Sequence, residues 1–393
     1  MQPVYIVDAV RSPIGKIGGG LAHVRPDDLA ACVISALMSR QSKVDPSRID
    51  DVVFGNGNGA GEENRNVGRM AALLAGLPTS VPGVAVNRLC GSGLESIILA
   101  SRQIAVGDAD LVIAGGVESM SRAPWVVQKP DTPFQRTDQT MHSTTLGWRL
   151  VNPRHDKRWT ISLGMGAEVI AEEFQIGRAE QDAYAMASHQ RATAAWASQR
   201  FSNEVVKIPE ADLLTDECVR GDTNMNSLQR LKPVFKSDGT VTAGNSSPMN
   251  DGASCLLLAS ERAVAEHNLA PLAQVVSRAA SAVEPNRFGI GPVEAANVAL
   301  QRAGLGWDEL DAVELNEAFA AQSLACLKLW PELKRNVVNR SGGAIALGHP
   351  IGASGSRITT TLVHELKRSG GRFGLATMCI GVGQGLALVV KSV

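Results

Sequence analysis

The chain has 393 residues, 44% hydrophobic and 20% charged, with 38 basic against 39 acidic residues and a formal net charge of −1. Such a length predicts two or three domains of about 100–200 residues each, and the balanced charge lacks the electrostatic footprint of a nucleic-acid binder. No run of about 18 apolar residues could cross a membrane, and the opening MQPVYIVDAVRSPIG lacks a basic-then-apolar leader pattern, so the cytoplasm is the expected compartment.

The first part reads as α/β. Val4 to Val10 is expected as a strand, Pro26 to Met38 as a helix, Asp51 to Gly55 and Ala85 to Asn87 as short strands, Gly93 to Val106 as a helix and Leu111 to Gly115 as an apolar strand. Strands alternating with helices of this length predict a sheet covered by helices. From about Ser119 to Asn245 the texture changes. Trp125, Trp148 and Trp159 gather there with Pro153 and His155, the helical stretches are Met165 to Phe174 and Arg178 to Gln199, and few strands are evident. A long insertion in an α/β scaffold is expected to serve ligand binding or assembly.

The α/β pattern returns from about Ala270. Ala312 to Leu315 and Val337 to Asn339 are expected as strands, Ser354 to Lys367 as a helix, and Gly374 to Cys379 and Gln384 to Lys391 as strands joined by a Gly-rich turn. The two α/β parts share a layout. Val86-Asn87-Arg88 and Val338-Asn339-Arg340 each precede a Gly-rich loop, a helix and an apolar strand, which predicts an internal duplication with corresponding loops facing one shared site.

None of the six cysteines has CxxC spacing, so neither disulfides nor structural zinc are expected. Cys32, Cys218, Cys255 and Cys326 read as small buried hydrophobes. Cys90 differs, because it falls just before Gly91 and Gly93, where a strand gives way to a helix. The helix dipole there would favour the thiolate, although a structural cysteine at a tight turn fits the local context equally well. His349 sits in a Gly-rich loop before a helix, and a histidine suits general-base work near neutral pH; a structural hydrogen bond in a turn is the alternative. Cys379 ends a strand before Gly381, in a turn whose backbone N–H groups could serve an oxyanion, or it is merely buried in a hairpin. Asn316 could cap a helix or orient a substrate or water. The run Gly55 to Gly61 does not fit a nucleotide-binding fingerprint, and none is expected there.

Taken in order, Asn87 to Gly93 around Cys90, Asn316-Glu317-Ala318-Phe319-Ala320, Gly342-Gly343-Ala344 through Gly348-His349-Pro350, and Cys379-Ile380-Gly381 resemble the motifs of the thiolase family. Arg11-Ser12-Pro13-Ile14-Gly15 and Gly115 to Ser121 match as well, so the resemblance covers essentially the whole chain. It implies two similar βαβαβαββ halves in a five-layered αβαβα arrangement with an inserted loop domain. The implied boundaries are 1–118 with 246–269 for the N-terminal half, 119–245 for the loop domain and 270–393 for the C-terminal half.

It also implies roles. His349 takes the proton of Cys90, whose thiolate forms an acyl-enzyme; Cys379 is the second acid/base. One oxyanion hole uses His349 with a water held by Asn316, the other the backbone N–H groups of Cys90 and Gly381. Coenzyme A is a co-substrate held by Ser247, Arg220 and Ser227 with Ala318 and Phe319. No tightly bound cofactor, metal, nucleic acid or membrane is expected, and members of the family are usually homodimers or homotetramers.

Two departures bear on the substrate. Asn339-Arg340-Ser341-Gly342 stands where an Asn-Pro-Asn-Gly-like run is usual, and Ser162 replaces the histidine of a segment found in biosynthetic members. Gly61 to Val67 and Thr144 to Arg149 resemble instead the branch that cleaves 3-oxoadipyl-CoA, whose terminal carboxylate calls for a cation; Arg65, Arg149, Arg154 and Lys157 are candidates. The alternatives are a biosynthetic acetoacetyl-CoA thiolase, a condensing enzyme acting on carrier-protein thioesters (disfavoured by Cys379), a catalytically dead acyl-CoA binder (disfavoured by Cys90 and His349) and a nicotinamide dehydrogenase, which the missing dinucleotide fingerprint disfavours.

Overall fold

A computed structural model describes residues 2–393. The first part runs β1 (Val4–Arg11), β2 (Gly15–Lys16), α1 (Pro26–Arg40), β3 (Asp51–Gly55), α2 (Val67–Leu74), β4 (Gly83–Val86), α3 (Ser92–Val106) and β5 (Leu111–Ser119). Next come β6 (Trp125–Val127), β7 (Met141–Ser143), α4 (Leu163–Glu173), α5 (Arg178–Ala197) and α6 (Met225–Gln229). The chain then returns through β8 (Asn250–Ser260), α7 (Glu261–Glu266), β9 (Ala273–Ala282), α8 (Gly291–Ala303), β10 (Ala312–Leu315), α9 (Ala320–Leu329), α10 (Ala344–Leu347), α11 (Ile351–Ser369), β11 (Phe373–Ile380) and β12 (Gln384–Ser392).

Local chemistry sets several of these limits. Helix α1 starts with Pro26 in its first turn beside Asp27 and Asp28 and carries Arg40 in its last turn, each favourable to the helix dipole. Helix α3 stops at Gly107, whose φ of 90° suits a left-handed cap. Strand β8 is buried at every position. Its run Ala253 to Ala259 therefore shows no polar alternation, which is why its pattern does not announce a strand. Val337 to Asn339 is not the expected strand: Arg335–Val337 is one 3-10 turn, and only Val338 bridges to Val313.

The strands pair in the order β10-β11-β12-β9-β1-β8-β5-β3-β4, with β2 beside β8. This is two half-sheets of the same plan. In one, β4, β3 and β5 are parallel, and β8 and β1 follow antiparallel; in the other, β10 and β11 are parallel, and β12 and β9 follow antiparallel. The halves join edge to edge through Tyr5 and Ile6 with Gln274 and Ala273.

Three apolar cores separate five layers. Leu29, Val33 and Ile34 of α1 and Ala71 and Ala72 of α2 cover the outer face of the first half-sheet. Ala295, Ala296 and Ala299 of α8 and Cys326 and Leu327 of α9 cover the second. Between the sheets lie α3 and α11, with Leu94, Ile97, Ile358 and Leu362 packed against residues of both, including Val112, Ala114, Met378 and Leu388. The two central helices meet at their first turns. A Cβ on Gly355 would stand 2.1 Å from the Leu94 backbone N, and one on Gly93 would stand 2.7 Å from the Gly352 carbonyl oxygen. Glycine at both positions lets the two N-termini converge.

The segment between β5 and β8 is tied down by a buried ion cluster. Arg11 of β1 donates from Nε to Glu204 at 2.6 Å and through two nitrogens to the Asp216 carboxylate at 2.7 and 3.0 Å. Removing one partner would strand a charge in the interior, a loss of about 3–5 kcal/mol.

Candidate active site

Between β4 and α3 the chain makes a tight turn. Asn87 accepts the Leu89 N–H on its side-chain oxygen and donates to the Gly57 carbonyl, and Leu89 adopts a left-handed φ of 48°. Ser92 accepts the Arg88 N–H and donates to the Leu89 carbonyl. This turn sets Cys90 immediately before α3, 8% exposed. Burial pushes its thiol up to about 11, against hydrogen bonding to the sulfur from the N–H groups of Gly381 and Cys90 itself. Loss of water thus works against the thiolate that the helix dipole was expected to favour. Both of these N–H groups are directed at the Cys90 sulfur.

His349 lies just before α11 and is held at two points, its backbone and its ring. Its backbone N–H donates to Asn250 at 2.8 Å, its Nδ1 is 2.5 Å from Ser354 Oγ, and Ser354 Oγ donates to the Pro350 carbonyl. With the hydroxyl proton engaged, Nδ1 is the donor to Ser354, and Nε2 keeps its lone pair. Burial, followed by the nearby Arg357 charge, lowers the imidazole to about 4, so it stands neutral and able to accept a proton.

Asn316 Nδ2 is 3.5 Å from His349 Nε2, at the outer limit of a hydrogen bond. Asn316 is not a helix cap, because α9 begins at Ala320 with Phe319 as its cap. Its Oδ1 is buried without a partner, an acceptor free for a ligand or water. Cys379 closes β11, 2% exposed, and burial raises its thiol well above the ordinary range. The turn after it spans Gly381 to Gly383. A Cβ on Gly383, at φ 73°, would stand 2.2 Å from the Val283 carbonyl oxygen.

Cys90, His349 and Cys379 line one cavity of about 260 Å³ together with Ser247, Ala318 and Phe319. Phe319 meets Phe235 and Phe288 edge-on at 6.4 and 6.2 Å, and Leu163 and Phe235 from the inserted segment complete an apolar wall. Ser247 donates its N–H to the Ala318 carbonyl at 3.0 Å, which fixes it at the rim. Arg220 and Ser227 are not in this cavity. They line a second one of about 250 Å³, which shares Ser246 and Pro248 with the first. Arg220 is exposed, and Ser227 donates to the Asn224 carbonyl at the start of α6.

Sequence reasoning missed several supporting groups. Glu118, fully inside at the end of β5, accepts the N–H groups of Gly57 and Gly352, both at 2.8 Å. Burial raises this carboxyl to about 7. Glu317 accepts from Ser188, Asn339 and Ile345 and so clamps the loop that leads to His349. Glu118 follows Gly115-Gly116, a weak local signal; Glu317 has none, because its partners come from distant segments. Cys32 is not the buried hydrophobe expected: it is half-buried, with its thiol donating to Glu210 at 3.6 Å. Cys218 is likewise half-buried, whereas Cys255 and Cys326 are buried. Among the described residues no group of three or more His, Cys, Asp or Glu could hold a metal ion, and no helix is long and apolar enough to cross a membrane.

A desolvated thiol, a neutral imidazole and convergent backbone donors in an apolar cavity define a site for acyl transfer through sulfur. The chain belongs to the thiolase family, whose N-terminal domain model matches residues 4–262 and whose C-terminal domain model matches residues 269–392. It is an acyltransferase of that family with the thiolase fold. It is 52% identical to a beta-ketoadipyl-CoA thiolase of Pseudomonas aeruginosa, over 100% of both chains. It is 47% identical, again over 100% of both, to a 3-oxoadipyl-CoA/3-oxo-5,6-dehydrosuberyl-CoA thiolase of Escherichia coli. The crystal structure of human mitochondrial 3-ketoacyl-CoA thiolase in complex with CoA matches with a TM-score of 0.94 at 40% identity, covering 100% of this chain and 98% of that one.

Proposed function

We propose that the protein cleaves 3-oxoadipyl-CoA with coenzyme A, releasing acetyl-CoA and a shortened dicarboxylic acyl-CoA. The convergence of Cys90, His349 and Cys379 on one cavity carries this reading; the full-length likeness to thiolases named for that substrate supports the acyl chain.

His349 Nε2 takes the Cys90 proton, and the sulfur attacks the 3-keto carbon. The N–H groups of Cys90 and Gly381 bind the oxyanion. The bond between C2 and C3 breaks, leaving the acyl group on Cys90 and its electron pair on the acetyl-CoA enolate. That enolate is stabilised by the protonated Nε2 of His349 and a water on Asn316, and Cys379 gives it a proton. Incoming coenzyme A passes its thiol proton to the Cys379 thiolate and attacks the acyl-Cys90 thioester, and the freed Cys90 recovers its proton from His349. The reverse sequence joins the two thioesters.

The second cavity suits the nucleotide end of coenzyme A, with the exposed Arg220 available to phosphate and the pantetheine arm running past Ser247 toward Cys90. On this reading residues 119–245 form the coenzyme-binding loop domain, flanked by halves at 1–118 with 246–269 and at 270–393. Exposed Trp125, Phe134 and Met141 around the β6–β7 hairpin favour burial against further copies, as a homodimer or homotetramer.

The test is CoA-dependent cleavage of 3-oxoadipyl-CoA and acetoacetyl-CoA side by side. A higher kcat/KM for 3-oxoadipyl-CoA, abolished by Cys90→Ala, is the expected result. A faster rate on acetoacetyl-CoA would overturn the substrate assignment and leave the biosynthetic reading.

A further inference from the structure

The four cations singled out for a dicarboxylic acyl chain part company in the structure. Arg65, Arg154 and Lys157 are exposed. Arg149 is half-buried, and its guanidinium donates from Nη2 to Asn58 Oδ1 at 3.0 Å. Asn58 is itself oriented: its amide donates to the hydroxyl and carbonyl oxygens of the buried Thr144 at 2.9 and 3.1 Å, and that hydroxyl donates to the Pro124 carbonyl. The amide oxygen is thus turned toward the guanidinium.

Neither Arg149 nor Asn58 lines the catalytic cavity itself, but their chain neighbours line it or touch its walls. On the Arg149 side, Leu146 and Gly147 line it, and Trp148 packs where a Cβ on Gly381 would stand 3.3 Å from the indole ring. On the Asn58 side, the neighbouring Gly57 lies against Ile351, another lining residue. Other cations around the site are already neutralised. Arg88 pairs with Glu95, Arg122 with Glu62 and Arg357 with Glu314. Arg149 has no carboxylate within 4.0 Å among the described residues and makes one side-chain hydrogen bond, leaving most of its five donors unused.

In a 3-oxoadipyl chain only three carbon–carbon bonds separate the carbonyl that Cys90 attacks from the terminal carboxylate carbon, a span of about 4 Å. The carboxylate must therefore be met close to Cys90, within reach of a long side chain rooted just outside the cavity lining. We propose that Arg149, held by Asn58, is the specificity-determining cation that pairs with the terminal carboxylate of the acyl group. A guanidinium suits this task because its planar fork matches a carboxylate bidentately. This inference rests on the dicarboxylate reading above.

The test compares kcat/KM for 3-oxoadipyl-CoA and for 3-oxohexanoyl-CoA, which carries a methyl group in place of the carboxylate. It uses the native protein, Arg149→Met, Arg149→Lys and Asn58→Ala, each checked for folding by circular dichroism. The preference of the native protein for the dicarboxylate should fall about 10- to 100-fold in Arg149→Met, the size of one lost charged hydrogen-bonding partner. It should be partly kept in Arg149→Lys and weakened in Asn58→Ala. An unchanged ratio in Arg149→Met, or equal losses on both substrates, overturns the role of Arg149 while leaving the dicarboxylate reading standing. A native protein without preference for 3-oxoadipyl-CoA overturns both.

Discussion

The two halves of the molecule place matching residues at matching points and use them differently. Gly55 of β3 pairs with Gly116 of β5, and Leu315 of β10 pairs with Thr377 of β11. One residue past the first member of each pair stand Asn56 and Asn316; two residues past the second member stand Glu118 and Cys379. In the N-terminal half both are bound internally. Asn56 donates to the Val117 carbonyl, and Glu118 accepts two backbone N–H groups. In the C-terminal half Asn316 keeps a free buried oxygen beside His349, and Cys379 lines the cavity. The loops before the central helices divide the work the other way: Cys90 comes from the N-terminal half and His349 from the C-terminal half. A duplicated frame thus supplies equivalent positions around one cavity, and hydrogen-bond saturation separates those that hold the frame from those left free for a substrate.

The largest expected effect breaks the chemistry outright. Cys90→Ala should lower kcat/KM by about 10⁴-fold or more, measured by CoA-dependent cleavage, with unchanged circular dichroism. Retained turnover would remove Cys90 as the nucleophile.

The asparagine pair tests the comparison most directly. Asn316→Ala should lower kcat by about 10²- to 10³-fold, as for loss of an oxyanion-hole group, and should alter stability little because its oxygen has no partner to lose. Asn56→Ala should do the reverse, costing about 1–2 kcal/mol in urea unfolding by orphaning the Val117 carbonyl, with the smaller loss of rate. Equal effects of the two substitutions on both readouts would sink the division between the halves.

Where the halves meet, Gly355→Ala should lower stability by about 3 kcal/mol through overpacking, because its Cβ would meet the Leu94 backbone rather than a movable side chain. Gly370→Ala on the same helix's far cap has open space but a φ of 68°; it should cost about 1 kcal/mol. Denaturant midpoints of the two variants would sharpen the contrast between steric and conformational demands.

The gentlest effect concerns pH. His349 is lowered to about 4 in the folded protein, against an ordinary value near 6.5. It therefore remains an available base as pH falls through 6.5, and the acidic limb of kcat/KM should lie well below that value. The same shift makes the unfolded chain bind the proton first, so its contribution to stability is full above pH 6.5 and is lost as pH falls toward 4. A kinetic limb centred at 6.5 would mean that the imidazole is solvated in the working enzyme.

Much of this was legible in the residues. The limits of β3 and β10 match the expected Asp51–Gly55 and Ala312–Leu315, and α3, α5 and α11 lie where periodicity and flanking glycines put them. Strand β8 was not legible, because burial on both faces removes the alternation that marks a strand. Val338 was misread, because a β-branched pair looks like a strand whether or not neighbours extend its pairing. Cys90, His349 and Cys379 stood out because each is a reactive side chain set among glycines. Glu118, Glu317 and Ser354 did not, because their roles depend on N–H or ring atoms contributed by distant loops.

The sequence alone determined which reactive groups the protein possesses, their order along the chain and the alternating α/β plan, since side-chain chemistry and periodicity are local properties. Only the tertiary structure decided that burial favours the protonated thiol, that the imidazole rests neutral, and that Arg149 alone of the four candidate cations is half-buried. Those outcomes follow from desolvation and from hydrogen-bond partners brought together across hundreds of residues, and no local stretch of sequence carries either.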